Sequence, residues 1–594
     1  MIFLGKEDSY MNVIYGINGP VVTVLGHTGL SMMEMVLVGE EKLVGEVIGV
    51  TDAKTTIQVY ENTTGLRVGE PIVSTGSPLC VTLGPGILDT IFDGIERPLK
   101  EIAERAGDFI DRGLSVSALD EQKQWQVTVT VKEGDRLTGG MVYATCPETP
   151  IILHKCMVPP TVSGTVTKVQ PDGAYTLNDT VVELTGEDGT VYPLTLCQKW
   201  PIRVPRPIAG RQYANVPLIT GQRVIDTLFP LAKGGTAAVP GGFGTGKTMT
   251  QHQLAKWCDA DIIIYVGCGE RGNEMSQVLE EFSSLIDPKS GHPMTDRTTL
   301  IANTSNMPVA AREASIYTGI TLAEYYRDMG YHVAIMADST SRWAEALREI
   351  SGRLEEMPAE EGFPAYLPSR LSAFYERAGL VSTLGGATGS VTIIGAVSPQ
   401  GSDFSEPVTQ NTKRFTRCFW ALDKSLAYAR HYPAINWTTS YSEYIGDLSA
   451  WYTENIHPDF ISARNRIAGI LQEESTLMEI VKLIGADVLP DDQKLVIEIA
   501  RVIRVGFLQQ NAYHQEDTYV PLPKQMKMMQ VILHLYDEAR KVVGAIPLSK
   551  IVATGLFEKA IKMKYDVPND QPELLDGYCE TITSTLRSLG GETV

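Results

Sequence analysis

The clearest chemical pattern in the sequence lies at residues 241–248, which read GGFGTGKT and match G-x-x-x-x-G-K-[ST]. Residues 236–240 have the apolar composition of a short strand, and residues 249–257 can form a helix. A glycine-rich turn between a strand and a helix points backbone N–H groups at a phosphate. Lys247 could then reach the β- and γ-phosphates, and the Thr248 hydroxyl could ligate Mg²⁺. The pattern predicts a nucleoside triphosphate site; the alternative is a glycine turn with a surface lysine.

A phosphate loop binds a nucleotide, but hydrolysis also needs a metal ion and a group that positions water. Residues 332–338, which read HVAIMAD, predict an apolar strand that ends in Asp338. In a parallel sheet this carboxylate would lie at the carboxyl edge beside the phosphate loop. Asp338 therefore fits an acid that holds Mg²⁺ through its hydration shell. The alternative is an Asp that caps a helix beginning at Ser339 or beyond.

A second strand is predicted at residues 261–266, and it runs into GCGERGNE at residues 267–274. Glycines around Glu270 allow a tight turn that aims its carboxylate at a γ-phosphate. Glu270 would then orient and polarise the attacking water, and Arg271 could neutralise developing charge. Spacing alone leaves a surface Glu–Arg–Glu turn equally open.

These residues need a rigid frame, and a chain of 594 residues is too long for one core. Residues 1–76 contain short alternating runs that predict an N-terminal β-barrel, and residues 77–111 would begin the nucleotide-binding domain. Residues 112–207 are again β-rich, with runs at 127–131, 164–168 and 180–184. Residues 208–444 alternate apolar strands with helical patterns, which is typical of a parallel α/β sheet. Residues 445–594 predict a helical domain.

Two apolar stripes in the last domain have helical spacing, and we expect both to lie in the core of a helix bundle. The first stripe is Leu477, Ile480, Val481 and Ile484, and the second is Val496, Ile499, Ala500 and Ile503.

Composition excludes several classes of function. With 51 basic and 71 acidic residues the formal charge is −20, which would repel a nucleic-acid backbone. No apolar stretch approaches the roughly 18 residues that a membrane span needs. The apolar start is followed at once by Lys6, so no secretory signal is expected. The eight cysteines are scattered, which indicates reduced thiols in a cytosolic protein; a pair between Cys146 and Cys156 is the alternative.

Six segments occur in one order along the chain: GGFGTGKT, GERGNE, ADSTSRWAEALRE, PAYLPSRLSAFYERAG, GAVSPQGSDFSEPVT and HYPAINW. Together they closely resemble the catalytic A subunit of the V/A-type rotary ATPases, over essentially the whole chain. The insertion at residues 112–207 resembles the bulge domain that distinguishes A subunits from the shorter F-type β subunit. The resemblance implies a barrel, a bulge, an α/β RecA-like phosphate-loop domain and a C-terminal helical bundle, in the order that the patterns predict.

By position, the resemblance makes Glu270 the catalytic glutamate and places Arg271 and Arg342 near the γ-phosphate. Asp338 matches the Walker-B acid. Tyr432, in HYPAINW, falls where the family has an aromatic ring against adenine, and a core tyrosine is the alternative. Phe507, in GFLQQN, is a second candidate for the adenine pocket. The full predicted nucleotide-binding set is Gly241, Gly242, Phe243, Gly244, Thr245, Gly246, Lys247, Thr248, Tyr432 and Phe507.

Two loop residues differ from those that relatives often carry. Gly242 and Thr245 remove no phosphate ligand, but we expect Gly242 to loosen the loop through its greater backbone freedom. Thr245 also means that a thiol switch inside the loop is absent here.

The resemblance implies ATP or ADP as substrate with Mg²⁺, and hydrolysis or synthesis coupled to H⁺ or Na⁺ transport. It implies an alternating A₃B₃ ring in which a B subunit supplies an arginine in trans. A central rotor stalk, peripheral stalks and, indirectly, a membrane sector would complete the complex at the cytoplasmic face of a membrane. We expect no nucleic-acid partner. The alternatives are a non-catalytic nucleotide-binding ring subunit, which the intact GKT and GERGNE disfavour, and a hexameric RNA translocase, which the acidic charge disfavours.

Overall fold

The computed structural model describes residues 12–107, 110–485 and 488–590. These residues form two compact units. The first unit contains residues 12–212, 260–398 and 405–415, apart from 108–109, and the second contains residues 213–259, 399–404 and 416–590, apart from 486–487.

The strands, in chain order, are β1 Asn12–Val13, β2 Gly16–Asn18, β3 Val21–Leu25, β4 Glu34–Val38, β5 Leu43–Val50, β6 Lys54–Val59, β7 Pro71–Pro78, β8 Cys80–Leu83, β9 Ile91–Phe92, β10 Trp125–Val129, β11 Arg136–Leu137, β12 Val142–Pro147, β13 Leu153–Met157, β14 Gly164–Val169, β15 Gly173–Tyr175, β16 Val182–Thr185, β17 Val191–Leu194, β18 Gln198–Pro201, β19 Gly210–Gln212, β20 Thr236–Pro240, β21 Ile262–Glu270, β22 Thr298–Thr304, β23 His332–Asp338, β24 Gly379–Ser382, β25 Thr388–Val397, β26 Cys418–Phe419 and β27 Tyr441–Ser442.

The α-helices are α1 Leu99–Ala106, α2 Lys247–Trp257, α3 Gly272–Ser284, α4 Val309–Asp328, α5 Thr340–Arg353, α6 Leu367–Tyr375, α7 Pro407–Phe415, α8 Lys424–Tyr428, α9 Ile445–Asn455, α10 Phe460–Ile484, α11 Asp491–Val502, α12 Gln515–Thr518, α13 Leu522–Val542, α14 Leu548–Val552, α15 Leu556–Asp566 and α16 Asp576–Gly590. Wide, π-type helical turns occur at Val224–Leu228 and Ile503–Leu508, and short 3₁₀ turns occur at Met294–Arg297, Glu360–Gly362, Gln400–Ser402 and Pro572–Leu575.

The first seven strands form one antiparallel sheet in the order β1-β7-β4-β5-β6-β3-β2. Alternate side chains point to opposite faces of each strand, so every second residue can enter a shared apolar core. Val22, Val36, Leu43, Val47 and Ile57 are all completely buried there. This sheet confirms the β-rich N-terminal domain that the short alternating runs predict.

The insertion contains two four-stranded antiparallel sheets, β13-β12-β10-β15 and β11-β14-β16-β17, and its last strand, β18, pairs with β8. The runs at 127–131, 164–168 and 180–184 overlap β10, β14 and β16. Cys146 and Cys156 lie on the neighbouring strands β12 and β13, where Cys146 pairs with His154 rather than with Cys156. All eight cysteines lie in the described part of the chain, and each is a free thiol there.

The first unit also contains parallel strands in the order β9-β22-β21-β23-β25, with β24 antiparallel to β25. Strands β21 and β23 are buried almost throughout, as in a parallel sheet that is covered on both faces. The strand predicted at residues 332–338 has the bounds of β23. Strand β21 continues beyond the predicted residue 266 to Glu270, because its last residues pair in parallel with β22. The sheet thereby carries Glu270 and Asp338 on strand ends.

Gly319 allows helix α4 to pack directly on this sheet. A Cβ atom at Gly319 would lie 2.5 Å from Val266 Cγ2 and 3.3 Å from Ile301 Cδ1. Gly469, in the middle of α10, has open space at the same position, with nothing within 4 Å. The same substitution by alanine would therefore add a methyl group to a closely packed position at Gly319 and to an open position at Gly469.

We expect Gly319→Ala to destabilise the protein by about 1–3 kcal/mol through overpacking. Gly469→Ala should instead stabilise α10 by up to about 1 kcal/mol, because alanine has the higher helix propensity. Thermal unfolding of both variants beside the wild type measures the difference. Equal shifts in the two melting temperatures would contradict the close packing at Gly319.

The second unit contains strand β20, which pairs in parallel with β26, and β27 lies antiparallel to β26. Beyond these strands the unit is helical, and α13 packs against α10, α11, α15 and α16. None of the helices in the described residues combines the length and apolar character that a bilayer-spanning segment needs.

The two predicted apolar stripes differ in their burial. Val496, Ile499, Ala500 and Ile503 are all buried, so the second stripe lies in the core as predicted. In the first stripe Leu477 is buried but Ile480 is 38% exposed, so the prediction of a core stripe holds only in part. The side chain of Ile484 lies outside the described set. Helical spacing correctly predicted which face of α10 carries the apolar residues. It did not predict how far along α10 the neighbouring helices cover that face.

Candidate active site

Residues 241–248 form a tight loop between β20 and α2 in the second unit. Strand β20 is fully buried, and α2 begins at Lys247 directly after Gly246. Gly244 and Gly246 have φ angles of 77° and 88°, a region that glycine enters at little cost. These turns leave the first N–H groups of α2 without partners inside the helix. The positive end of the helix dipole adds to them, so the loop can bind an anion.

The Lys247 ammonium folds back over this loop. Its Nζ donates to the carbonyl oxygens of Gly241 at 2.8 Å and Gly242 at 3.0 Å. The Thr245 hydroxyl is buried and donates to the same Gly242 carbonyl at 2.8 Å. Lys247 and Thr245 therefore stabilise the loop through hydrogen bonds to its own carbonyl groups. Thr248 lies in the first turn of α2.

Gly242 is closely packed rather than loosely held. A Cβ atom there would lie 2.1 Å from Ser402 Oγ and 2.8 Å from Lys424 Cε. The greater backbone freedom expected at Gly242 is therefore accompanied by close packing, and a Cβ atom there would displace the ends of the Ser402 and Lys424 side chains. Phe243, next to it, is 79% exposed.

The two candidate aromatic residues for a base pocket have different environments. Tyr432 is 45% exposed, and its ring edge would lie 3.7 Å from a Cβ at Gly246, beside the phosphate loop. Phe507 is completely buried, and its carbonyl oxygen accepts a hydrogen bond from Arg223 Nε. Tyr432 thus presents a face that a ligand can reach, whereas Phe507 supports the region from inside.

Asp338 ends β23 in the first unit and is only 2% exposed. Its Oδ2 accepts a hydrogen bond of 3.1 Å from the Tyr265 hydroxyl, and Tyr265 packs on Phe282 with ring centroids 5.9 Å apart. The next helix, α5, has Ser339 at its N-cap position. A buried carboxylate and a hydroxyl such as that of Thr248 are the hard oxygen donors that Mg²⁺ prefers, so the residue types fit this ion.

Glu270 is half-buried at the end of β21, and Arg271 follows it as an exposed residue at the N-cap of α3. Burial, the charge of Asp338 and a hydrogen bond with Glu274 together raise the pKa of Glu270 from 4.5 to about 8. Arg342 opposes this rise in pKa, although it forms its own ion pair with Glu345 at 2.8 Å. Gly269 brings the strand close to α5, since a Cβ there would lie 2.7 Å from Arg342 Cβ.

The raised pKa predicts that Glu270 lowers the free energy of unfolding of the nucleotide-free protein by an amount that depends on pH. Between the ordinary value of 4.5 and about 8 the folded state holds a proton that the unfolded state has lost. This group therefore lowers stability as pH rises through that window, and the full cost is present above it. Glu270→Gln cannot ionise, so it should exceed the wild type in stability by at least about 1 kcal/mol at pH 9, with little difference at pH 4.5.

Thermal unfolding in a chelator at the two pH values measures this effect. The exposed Glu479 on α10 offers the control substitution Glu479→Gln, which makes the same chemical change at a solvent-exposed position. A Glu270→Gln variant with the same stability difference at both pH values would contradict the predicted cost.

Sequence reasoning did not single out Tyr265 or Arg223. Tyr265 is the one phenol in the apolar run of β21, and a buried hydroxyl needs a hydrogen-bond partner. That signal could have identified a residue that holds Asp338. Arg223 gave no such signal, because its partners lie nearly 300 positions away in the sequence.

Four family descriptions match consecutive parts of the chain. They are the beta-barrel domain of the ATP synthase alpha/beta family at residues 14–76 and the ATP synthase alpha/beta subunit barrel-sandwich domain at 116–203. The nucleotide-binding domain of the ATP synthase alpha/beta family follows at 221–442 and the C-terminal domain of V and A type ATP synthase at 449–552.

Full-length relatives agree with these matches. The chain is 62% identical to V-type ATP synthase alpha chain 2 of Clostridium tetani over 98% of both chains. It is 57% identical to the A subunit of the A-type ATP synthase of Methanopyrus kandleri, over 95% of this chain and 96% of the relative. The ATPase EscN of the enteropathogenic E. coli type III secretion system shares the fold, with a TM-score of 0.62 at 20% identity over 88% of this chain and 100% of that chain. The identities at nearly full length show that this chain belongs to the family of catalytic A subunits, or alpha chains, of the V/A-type ATP synthases.

Proposed function

We propose that this chain is the catalytic subunit of an alternating A₃B₃ ring, in which ATP hydrolysis or synthesis is coupled to H⁺ or Na⁺ movement across a membrane. The observation that carries the proposal is the phosphate loop at 241–248, with two glycines at positive φ and the Lys247 ammonium over its carbonyls. Near-complete similarity to V-type and A-type ATP synthase subunits supports it.

Lys247 and the first turn of α2 would hold the phosphates. In the free protein the ammonium donates to two carbonyl oxygens at 2.8 and 3.0 Å. A phosphate oxygen carries a negative charge, so its hydrogen bond with the ammonium is also an ion pair, which a neutral carbonyl cannot form. A triphosphate would therefore draw Lys247 from Gly241 and Gly242 and leave the backbone N–H groups of the loop around the anion.

Thr248 and Asp338 are the residues that we propose hold Mg²⁺, with Asp338 acting through water. When bound, the ion neutralises charge that develops on the transferred phosphoryl group. Tyr265 donates to one oxygen of Asp338 and so fixes the orientation in which the carboxylate would meet a water ligand of the ion.

Glu270 would orient and polarise the attacking water. Its pKa of about 8 lies near neutral pH, and a group whose pKa is close to the working pH is well suited to acid–base catalysis. Arg271 and Arg342 would stabilise negative charge on the γ-phosphate, together with an arginine from the B subunit. Tyr432 would stack on the adenine, and Phe507 would support that wall from behind.

Ring closure around ATP would transmit its free energy to a central rotor stalk, while peripheral stalks hold the ring to the membrane sector at the cytoplasmic face. Binding free energies are reciprocal, so rotation driven by ion flow would in turn favour synthesis. ATP or ADP with Mg²⁺ is the proposed substrate, and nucleic acid has no role.

Turnover by the co-purified ring of this chain and its B subunit tests the proposal. We expect Mg·ATP hydrolysis that added RNA does not change. A ring that binds ATP without hydrolysing it would favour a non-catalytic role, and stimulation by RNA would favour a translocase. The ring is needed because an isolated chain lacks the proposed trans arginine.

A further inference from the structure

Arg223 is completely buried in the second unit, where it makes a dense set of hydrogen bonds. Its guanidinium donates to the carbonyl oxygens of Phe507 and, at 2.8 Å, of Gln509, and it pairs with Asp517 at 2.5 Å. Its backbone N–H donates to Gln510 Oε1 at 2.9 Å. Arg223 thus holds Phe507 and Gln509 through its side chain and Gln510 through its backbone. We call residues 507–511, which include these three positions, the 507–511 segment.

A second buried cation reaches the same segment. Lys564, on α15, donates to the carbonyl oxygens of Val505 at 2.7 Å and Gln509 at 3.0 Å. The segment begins within the last residues of the wide turn Ile503–Leu508, and the last carbonyls of a helix end have no partners inside the helix. Two cations from distant parts of the unit supply those partners and oppose the negative end of the helix dipole.

The 507–511 segment is bonded in turn to the chain around Tyr432. The Gln510 backbone N–H donates to the Tyr432 carbonyl at 2.8 Å, and Gln509 Nε2 donates to the Arg430 carbonyl at 3.1 Å. Gln510 Nε2 also donates to the Gly221 carbonyl at 2.7 Å, two residues before Arg223. The position of Tyr432 therefore depends on the segment that Arg223 fixes.

We infer that Arg223 is a positioning residue for recognition of the nucleotide base. It acts through the 507–511 segment on Tyr432, whose ring lies beside Gly246, and it contacts no substrate itself. The inference deepens the proposed function, since it rests on Tyr432 meeting the base. It specifies the ligand class as well: a nucleotide with a base should depend on Arg223, whereas an inorganic polyphosphate, held by the loop alone, should not.

A lysine at position 223 keeps the charge beside Asp517 but cannot reach all the partners of the planar guanidinium. In the assembled ring, Arg223→Lys should weaken binding of a non-hydrolysable ATP analogue about tenfold through lost preorganisation. Affinity for inorganic triphosphate should stay within about twofold. Titration calorimetry of both ligands, with Mg²⁺ present, measures the two affinities. A matched control is Arg466→Lys, at an exposed ion pair with Asp537, which should change neither affinity.

Comparing the affinities for the two ligands distinguishes a positioning role of Arg223 from a purely structural role. A merely structural Arg223 would lower the affinities for analogue and triphosphate together, or lower only the melting temperature, and either result overturns the inference. A wild-type ring that binds neither ligand would instead refute the proposed function.

Gln509→Ala provides a milder second variant in case Arg223→Lys does not fold. It removes the bond to the Arg430 carbonyl without uncovering a buried charge. We expect about threefold weaker binding of the analogue and unchanged binding of triphosphate. Unchanged analogue affinity in this variant would contradict the path from the segment to Tyr432.

Discussion

Glu270→Gln should lower ATP turnover of the assembled ring by about 10²–10⁴-fold, the range that general acid–base catalysis supplies. The amide keeps the size of the carboxyl but cannot accept a proton from water. Nucleotide binding should change little, since the proposed phosphate ligands lie on the loop at 241–248 rather than on β21. Steady-state hydrolysis, with calorimetric binding of Mg·ADP, measures the two quantities.

The exposed Glu280, on the same helix α3 that follows Glu270, provides a matched control. Glu280→Gln removes one negative charge from this region and should leave turnover near that of the wild type. Near-normal hydrolysis by Glu270→Gln would refute the role of Glu270, and an equal loss in both variants would indicate a general electrostatic effect.

Local patterns predicted the elements well wherever a strand or turn has its own chemical signature. The strands at 236–240 and 332–338 have the predicted bounds, since an apolar run flanked by glycine or a charge needs no distant information. The loop conformation was also predictable, because glycine is the residue that adopts positive φ at Gly244 and Gly246 at little cost.

Long-range contacts were not predictable in the same way. The sequence does not show that Tyr265 reaches across to Asp338, or that Arg223 meets Asp517, because both depend on packing between elements far apart in the chain. The prediction of burial along α10 was wrong at Ile480 for the same reason. Helical spacing shows on which face of the helix Ile480 lies, but it does not show whether another helix covers that face. The placement of Phe507 in the core likewise follows from its neighbours rather than from its local motif.

These differences follow from how the site is built. Groups that we propose meet a ligand through backbone geometry carry a local signature, as the glycines of the loop do. Groups that hold other groups in place, such as Tyr265 and Arg223, look like ordinary core residues in the sequence. The residues proposed to carry the chemistry could therefore be predicted from motifs, whereas the residues that hold them in position could be identified only from the structure.

Lys247→Met is expected to abolish measurable turnover and to weaken Mg·ATP binding by about 10²-fold, since it removes charge-assisted bonds worth about 1.5–3 kcal/mol each. Methionine keeps the length of the side chain, so loss of the ammonium is the main change. In the free protein the substitution removes the hydrogen bonds to Gly241 and Gly242, and water can replace them because the lysine is only partly buried. Stability should therefore fall much less than affinity.

Lys256→Met, at the other end of α2, is the control, because it removes the same charge from the same helix, remote from the loop. Equal Mg·ATP affinities in the two variants would contradict a phosphate role for Lys247. The comparison with Glu270→Gln then separates two functions: Lys247→Met should lose binding and turnover together, whereas Glu270→Gln should lose turnover alone. We propose that the loop holds the nucleotide and that the end of β21 directs water to it. Loss of nucleotide binding in both variants would contradict this separation of roles.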